Sequence, residues 1–119
     1  MHNFRRLEVW QVSLEIAEQI YRVTTDFPAD ERFGLTAQMR SAAVSVGSNI
    51  AEGAGRGSLG DMARFLRIAL GSIAEIESQL ELAVRLGLIG ARPDLVESLR
   101  ALSRRVLKLH DRISVTRPV

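Results

Sequence analysis

The chain has 119 residues, 46% of them hydrophobic, with 16 basic residues against 14 acidic, three prolines and no cysteine. That length suits one domain with a single core, and that composition excludes both a disordered chain and a scaffold that needs a metal or disulfide to fold. The absence of cysteine removes thiol catalysis, cysteine–zinc sites and redox switching together, and it fits a reducing cytoplasm, where the protein is expected.

The N-terminus, Met-His-Asn-Phe-Arg-Arg, runs into an amphipathic segment rather than an unbroken apolar one, so neither a signal peptide nor a membrane span is expected. From Leu7 to Phe27 the apolar positions Val9, Ile16, Ile20, Val23 and Phe27 form one row and Trp10, Leu14, Ala17 and Tyr21 a second. Spacings of three and four predict a helix, which Pro28 ends because proline cannot continue the hydrogen-bond ladder. The short connection 28–34 makes the next helix an antiparallel neighbour.

The second helix is predicted over about 35–52, and it is rich in small residues. Leu35, Met39, Ala42, Ala43, Val46, Ile50 and Gly53 fall on one face, while Ser41, Ser45, Ser48 and Glu52 line another. Two such faces predict two neighbours, with Asn49 and Glu52 on a buried edge where their polar groups need partners. The glycines of 53–57 are expected to stop this helix, and Ser58-Leu-Gly-Asp61 has the spacing of an N-terminal cap for the next.

The third helix, predicted over 59–86, carries two seams. Met62, Leu66, Ala69, Ile73, Ile76, Leu80 and Ala83 are apolar, whereas Ile68, Ser72, Glu75, Gln79, Leu82 and Leu86 are mixed. Glu75 and Gln79 are therefore expected to be partly buried and hydrogen-bonded, completing a structural polar network of Asn49, Glu52, Ser72, Glu75 and Gln79. Gly87 suits a helix C-cap, and Pro93 suits the first turn of the fourth helix, predicted over 93–113.

On that last helix Leu95, Leu99, Leu102, Val106, Leu109 and Ile113 share one side, with Arg100, Arg104, Arg105, Lys108 and Arg112 opposite. Residues 96–119 hold six basic residues against Glu97 and Asp111, whereas 1–95 hold ten Arg against twelve acids, so the positive excess lies here. The tail from Thr116 to Val119 is expected to fray. Four amphipathic helices with short connections predict a single all-α domain spanning 1–119, an antiparallel up-down-up-down four-helix bundle about 30 Å long.

Four runs carry a family likeness: Leu7-Glu-Val-Trp-Gln11, Gly34-Leu-Thr-Ala-Gln38, Ser45-Val-Gly-Ser-Asn-Ile-Ala-Glu-Gly53 and Arg64-Phe-Leu-Arg-Ile-Ala-Leu-Gly-Ser72. In this order and spacing the chain resembles the bacterial four-helix-bundle family of the 23S rRNA intervening-sequence proteins, over about residues 4–90. One departure is Gly47, where that family often has proline; both residues weaken a helix, so a bend there remains open. The resemblance implies a ring, typically a homopentamer, and kinship with the accessory proteins of diversity-generating retroelements, which bind nucleic acid through a basic surface and partner a reverse transcriptase. It brings no settled activity.

Catalytic signals are weak when taken one by one. Gly55-Arg-Gly-Ser-Leu-Gly60 matches a dinucleotide fingerprint only formally, since a helix precedes it where a strand is required, and a plain turn explains it. Arg56 beside the start of the third helix is a candidate for holding a phosphate. Di-iron bundles need Glu-x-x-His, which His2 and His110 do not supply, and the serines have no base near them in sequence. No enzyme, metal or cofactor is expected. The leading expectation is a homo-oligomer binding structured RNA or DNA electrostatically through Arg100, Arg104, Arg105, Lys108, Arg112 and Arg56, without stacking aromatics and so without base specificity. The alternative is a protein–protein adaptor ring that docks an enzyme.

Overall fold

The computed structural model describes residues 3–116, with side chains through 114. His2 and the tail residues Arg117, Pro118 and Val119, named above, lie outside the described residues. Four helices follow in order, α1 (Glu8–Thr25), α2 (Leu35–Gly55), α3 (Leu59–Arg85) and α4 (Pro93–Thr116), with short 3₁₀ turns at Phe4–Arg6 and Ala29–Glu31. Successive helices pack against each other, α2 with α3 most extensively, and α1 closes on α4. The result is an all-α four-helix bundle. Its long axis is 49 Å rather than about 30 Å, because α3 has 27 residues and α4 has 24.

The core is built from the rows that periodicity singled out. Ile16, Ile20, Met39, Val46, Ile50, Leu66, Ile73, Ile76, Leu95, Leu99, Leu102 and Val106 are all buried. The second row of α1 is not: Leu14 and Tyr21 are each 42% exposed. On α3 the apolar seam is buried throughout, while the mixed seam splits, with Ser72 and Gln79 buried and Ile68, Leu82 and Leu86 exposed.

Helix ends follow local chemistry. Ser58 caps α3 by accepting a hydrogen bond from the Asp61 amide at 3.1 Å. At the other end Gly87, with φ 76°, lets its own amide reach Val84 O at 3.0 Å and the Leu88 amide reach Ala83 O at 2.9 Å. That pair of bonds is a Schellman cap, which closes α3 on its last free carbonyls. α1 stops at Thr25, before Pro28, and Pro93 opens α4.

α2 corrects the expectation most. It continues through Gly53 to Gly55, and the chain turns only at Gly57, where φ is 85°. It is also unbroken at Gly47, where the Ser13 hydroxyl approaches so closely that an added Cβ would lie 2.8 Å from it. Gly53 has a packing role: an added Cβ would lie 2.9 Å from Phe65 Cβ and 3.3 Å from the Met62 backbone. These glycines let α2 approach α1 and α3 closely, so packing overrides the weak helix propensity of glycine. α4 likewise runs to Thr116, beyond the expected 113.

Candidate nucleic-acid interface

The basic face of α4 is exposed as expected, but much of it is neutralised by its neighbours. Arg100 donates twice to Glu77 of α3, at 3.2 and 2.9 Å. This raises the guanidinium pKa above its ordinary value, through the hydrogen bond first and the nearby charge second. Arg104 donates to Glu97 at 2.9 Å, and Arg105 is hydrogen-bonded to Glu8 of α1. Exposed pairs of this kind contribute only about 0–1 kcal/mol, yet a phosphate approaching them meets a carboxylate as well as a cation. Lys108 makes no ion pair among the described residues, and Arg112 is exposed on the same helix.

The helix ends change which cations matter. α1 and α3 begin, and α2 and α4 end, at one pole of the bundle. That pole gathers Arg5 and Arg6 from the first 3₁₀ turn, Arg56 from the α2–α3 turn, Arg64 and Arg67 from α3, and Lys108 and Arg112 from α4. Its carboxylates are Glu8, Glu52, Asp61 and Asp111. Arg56 lies 3.9 Å from Glu52 and Arg64 lies 3.8 Å from Asp61, both loose pairs. The two guanidinium groups also sit against the ring of Phe65, at 5.1 and 4.4 Å from its centroid, which fixes their bases while leaving their edges to solvent. Arg6 and Arg67, like Lys108, have no ion pair among the described residues. The opposite pole is more evenly balanced, with Asp26, Asp30, Glu31, Glu81 and Asp94 beside Arg32, Arg85 and Arg92, and there Arg85 pairs with Glu81 and Arg92 with Asp94.

The polar network forms in part. Asn49 donates to the Ser45 carbonyl at 2.8 Å and to its hydroxyl at 2.9 Å, and that hydroxyl lies 2.9 Å from Ser72 on α3. This half-buried cluster joins α2 to α3. Gln79 donates to Glu75 at 3.3 Å, but Glu75 is exposed, and Gln79 Oε1 has no partner although the residue is 7% exposed. Glu52 is exposed and turns to Arg56, and Ser41 and Ser48 are exposed too, so the second face of α2 is not covered within one chain. Glu52 and Glu75 thus have separate partners, and among the described residues no three acidic or histidine side chains stand together as a metal site would require. No described helix is long and apolar enough to cross a membrane.

The family model for the 23S rRNA-intervening sequence protein matches residues 5–111. The chain belongs to that family. A solved relative of this intervening-sequence protein is a protein of unknown function from the S23 ribosomal protein family of Bacteroides thetaiotaomicron. It is 30% identical, the match covers 92% of this chain and 99% of that one, and the TM-score is 0.66. A search of curated proteins returns no match. Most of the basic pole of this intervening-sequence protein, from Arg5 to Lys108, falls inside the matched span. Sequence reasoning found Arg56, Lys108 and Arg112 there but missed Arg6 and Arg67, because they belong to different elements and only the antiparallel topology brings them to one end.

Proposed function

We propose that this intervening-sequence protein is a non-enzymatic homo-oligomer that holds structured RNA or DNA by its phosphates. The contact is made with the basic pole, through Arg6, Arg56, Arg67, Lys108 and Arg112. The observation that supports this most is that Arg6, Arg67 and Lys108, from three elements meeting at one end, make no ion pair among the described residues. Arg100, Arg104 and Arg105 contribute less, since each already holds a glutamate. A homopentameric ring, which the family likeness implies, repeats the pole around one axis, and the individually weak contacts then add. Binding of this kind follows the backbone and releases counterions, so it is strongly salt-dependent and tolerant of sequence.

The experiment is fluorescence anisotropy with a labelled RNA hairpin at 50 and 200 mM salt. The expected result is a fall in affinity of at least about tenfold across that range, as for a protein neutralising several phosphates. Arg67→Glu with Lys108→Glu abolishes binding, while Arg100→Ala with Arg104→Ala leaves it within about threefold, because paired arginines add little. Absence of binding at both salts, or equal loss from both double variants, overturns the assignment. Salt-insensitive capture of a partner protein in its place favours the adaptor.

A further inference from the structure

The cations of the basic pole are not all held in the same way, and three of them rest on aromatic rings. Arg5 lies over the ring of Phe4, 5.5 Å from its centroid, and Phe4 is braced in turn by Trp10, the two centroids 4.9 Å apart and the planes at 73°. The backbone of Arg5 is pinned from both sides: its amide donates to Asn3 Oδ1 at 3.1 Å, and its carbonyl accepts from Gln11 Nε2 at 2.8 Å. Arg56 and Arg64 share the ring of Phe65. That ring belongs to a residue only 8% exposed, whereas the side chains of Arg56 and Arg64 are 46% and 55% exposed, and Arg5 is exposed too. The Phe65 ring is therefore covered, and the guanidinium groups over the two rings keep their outer sides in water.

We propose that the basic pole takes unpaired nucleotides, whose bases stack on the outer sides of Arg5, Arg56 and Arg64. The inference rests on the phosphate binding proposed above and names the class of nucleic acid that the site holds: single-stranded segments in preference to closed duplex. A guanidinium is planar and weakly hydrated, so it rests on an aromatic ring on one side and accepts a nucleobase on the other, which the compact, strongly hydrated ammonium of lysine does not. A ring beneath it removes much of the side-chain freedom that stacking would otherwise cost. The rings do not meet the strand themselves; they act by holding the cations. A duplex keeps its base faces inside its own stack and offers phosphates and groove edges, so it has no use for such platforms. An unpaired strand does. Arg56 and Arg64 stand 3.9 and 3.8 Å from Glu52 and Asp61, beyond hydrogen-bond length, so their edges remain able to donate to a phosphate while a base covers the face. Every base has a π face, and recognition of this kind therefore tolerates sequence. At the opposite pole Arg32 lies over the ring of Phe33 at 4.7 Å, a contact of the same kind away from the other three, and it supplies a control.

The test compares, by fluorescence anisotropy at low salt, a labelled RNA of about 12 nucleotides with no self-pairing and the same strand annealed to its complement. Electrostatics alone favours the duplex, whose denser charge releases more counterions per contact. The expected result is a single strand bound at least about fivefold more tightly than the duplex, the effect of one stacked base. The double variant Arg5→Lys with Arg64→Lys keeps the charge and loses the planes, so the preference falls by about fivefold or more at unchanged helix content by circular dichroism, while Arg32→Lys retains it. Arg5→Lys alone carries the comparison if the double variant loses helix. A wild type that binds duplex as tightly as strand overturns the stacking assignment and leaves phosphate binding standing. So does a preference that survives in the double variant or is lost equally in Arg32→Lys. Binding of neither RNA at low salt overturns both readings.

Discussion

Gly53→Ala tests whether the close approach of α2 and α3 is what holds the two central helices in register. The new Cβ would stand 2.9 Å from Phe65 Cβ and 3.3 Å from Met62 Cα and O. Those atoms are backbone or attached to it, so they cannot swing aside as the end of a long side chain would. Overpacking at such a point costs about 1–3 kcal/mol. Alanine in a helix interior also returns about 1 kcal/mol relative to glycine, which blurs the single measurement. Gly71→Ala supplies the correction, because Gly71 lies in the interior of α3, is exposed, and has nothing within 4 Å of its would-be Cβ. The propensity gain is common to both variants, so the difference between their unfolding free energies isolates the clash. Urea unfolding followed by circular dichroism at fixed protomer concentration should place Gly71→Ala above wild type by up to about 1 kcal/mol. Gly53→Ala should lie about 1–3 kcal/mol below Gly71→Ala. A gap under about 0.5 kcal/mol, within the scatter of ordinary surface changes, would refute the role given to this glycine.

Glu75→Ala should change the free energy of urea unfolding by no more than about 0.5 kcal/mol in a dissociated chain, because Glu75 is exposed and its single bond to Gln79 is long at 3.3 Å; a loss of several kcal/mol would mean that the carboxylate is buried. Asp94 gives a pH prediction. Its hydrogen bond from Arg92 holds its carboxyl below the ordinary value. The stabilisation is therefore present above the unfolded carboxylate pKa of about 3.9 and is lost as pH falls through the lower folded value. Wild type and Arg92→Ala should thus differ most at neutral pH and converge in acid, and a gap that widens below pH 4 would contradict the assignment.

The fold was readable because burial repeats at the helical period. Every residue of the α3 apolar seam and of the α2 core face is buried, so sequence spacing and structure agree where apolar rows face inward. The end of α2 was misread because Gly53 and Gly55 look like stops when taken locally, whereas Phe65 and Met62, remote in sequence, hold the helix together there. The basic stripe was legible as a stripe but not as a paired one. Glu8 is 97 residues from Arg105, and Glu77 is 23 from Arg100, separations at which spacing carries no contact information. The mixed seam of α3 misled in a different way. Periodicity reports which residues share a strip, but whether the strip meets α2 or solvent depends on a few degrees of rotation that decide between Gln79 and Glu75.

The contacts of this bundle are made chiefly between helices adjacent in sequence, with α2 and α3 sharing the largest and α1 and α4 the least of the four pairings. Most loops are therefore closed over short chain separations before the last pairing forms, and proteins arranged in this way fold on microsecond to millisecond timescales. The α2–α3 hairpin is then the natural seed, and the outer helices join it from either side. Under native conditions the amides of α2 and α3 should exchange with solvent last, while α1 and α4, which have one strong neighbour each, open and reclose as separate units around a hairpin that stays shut.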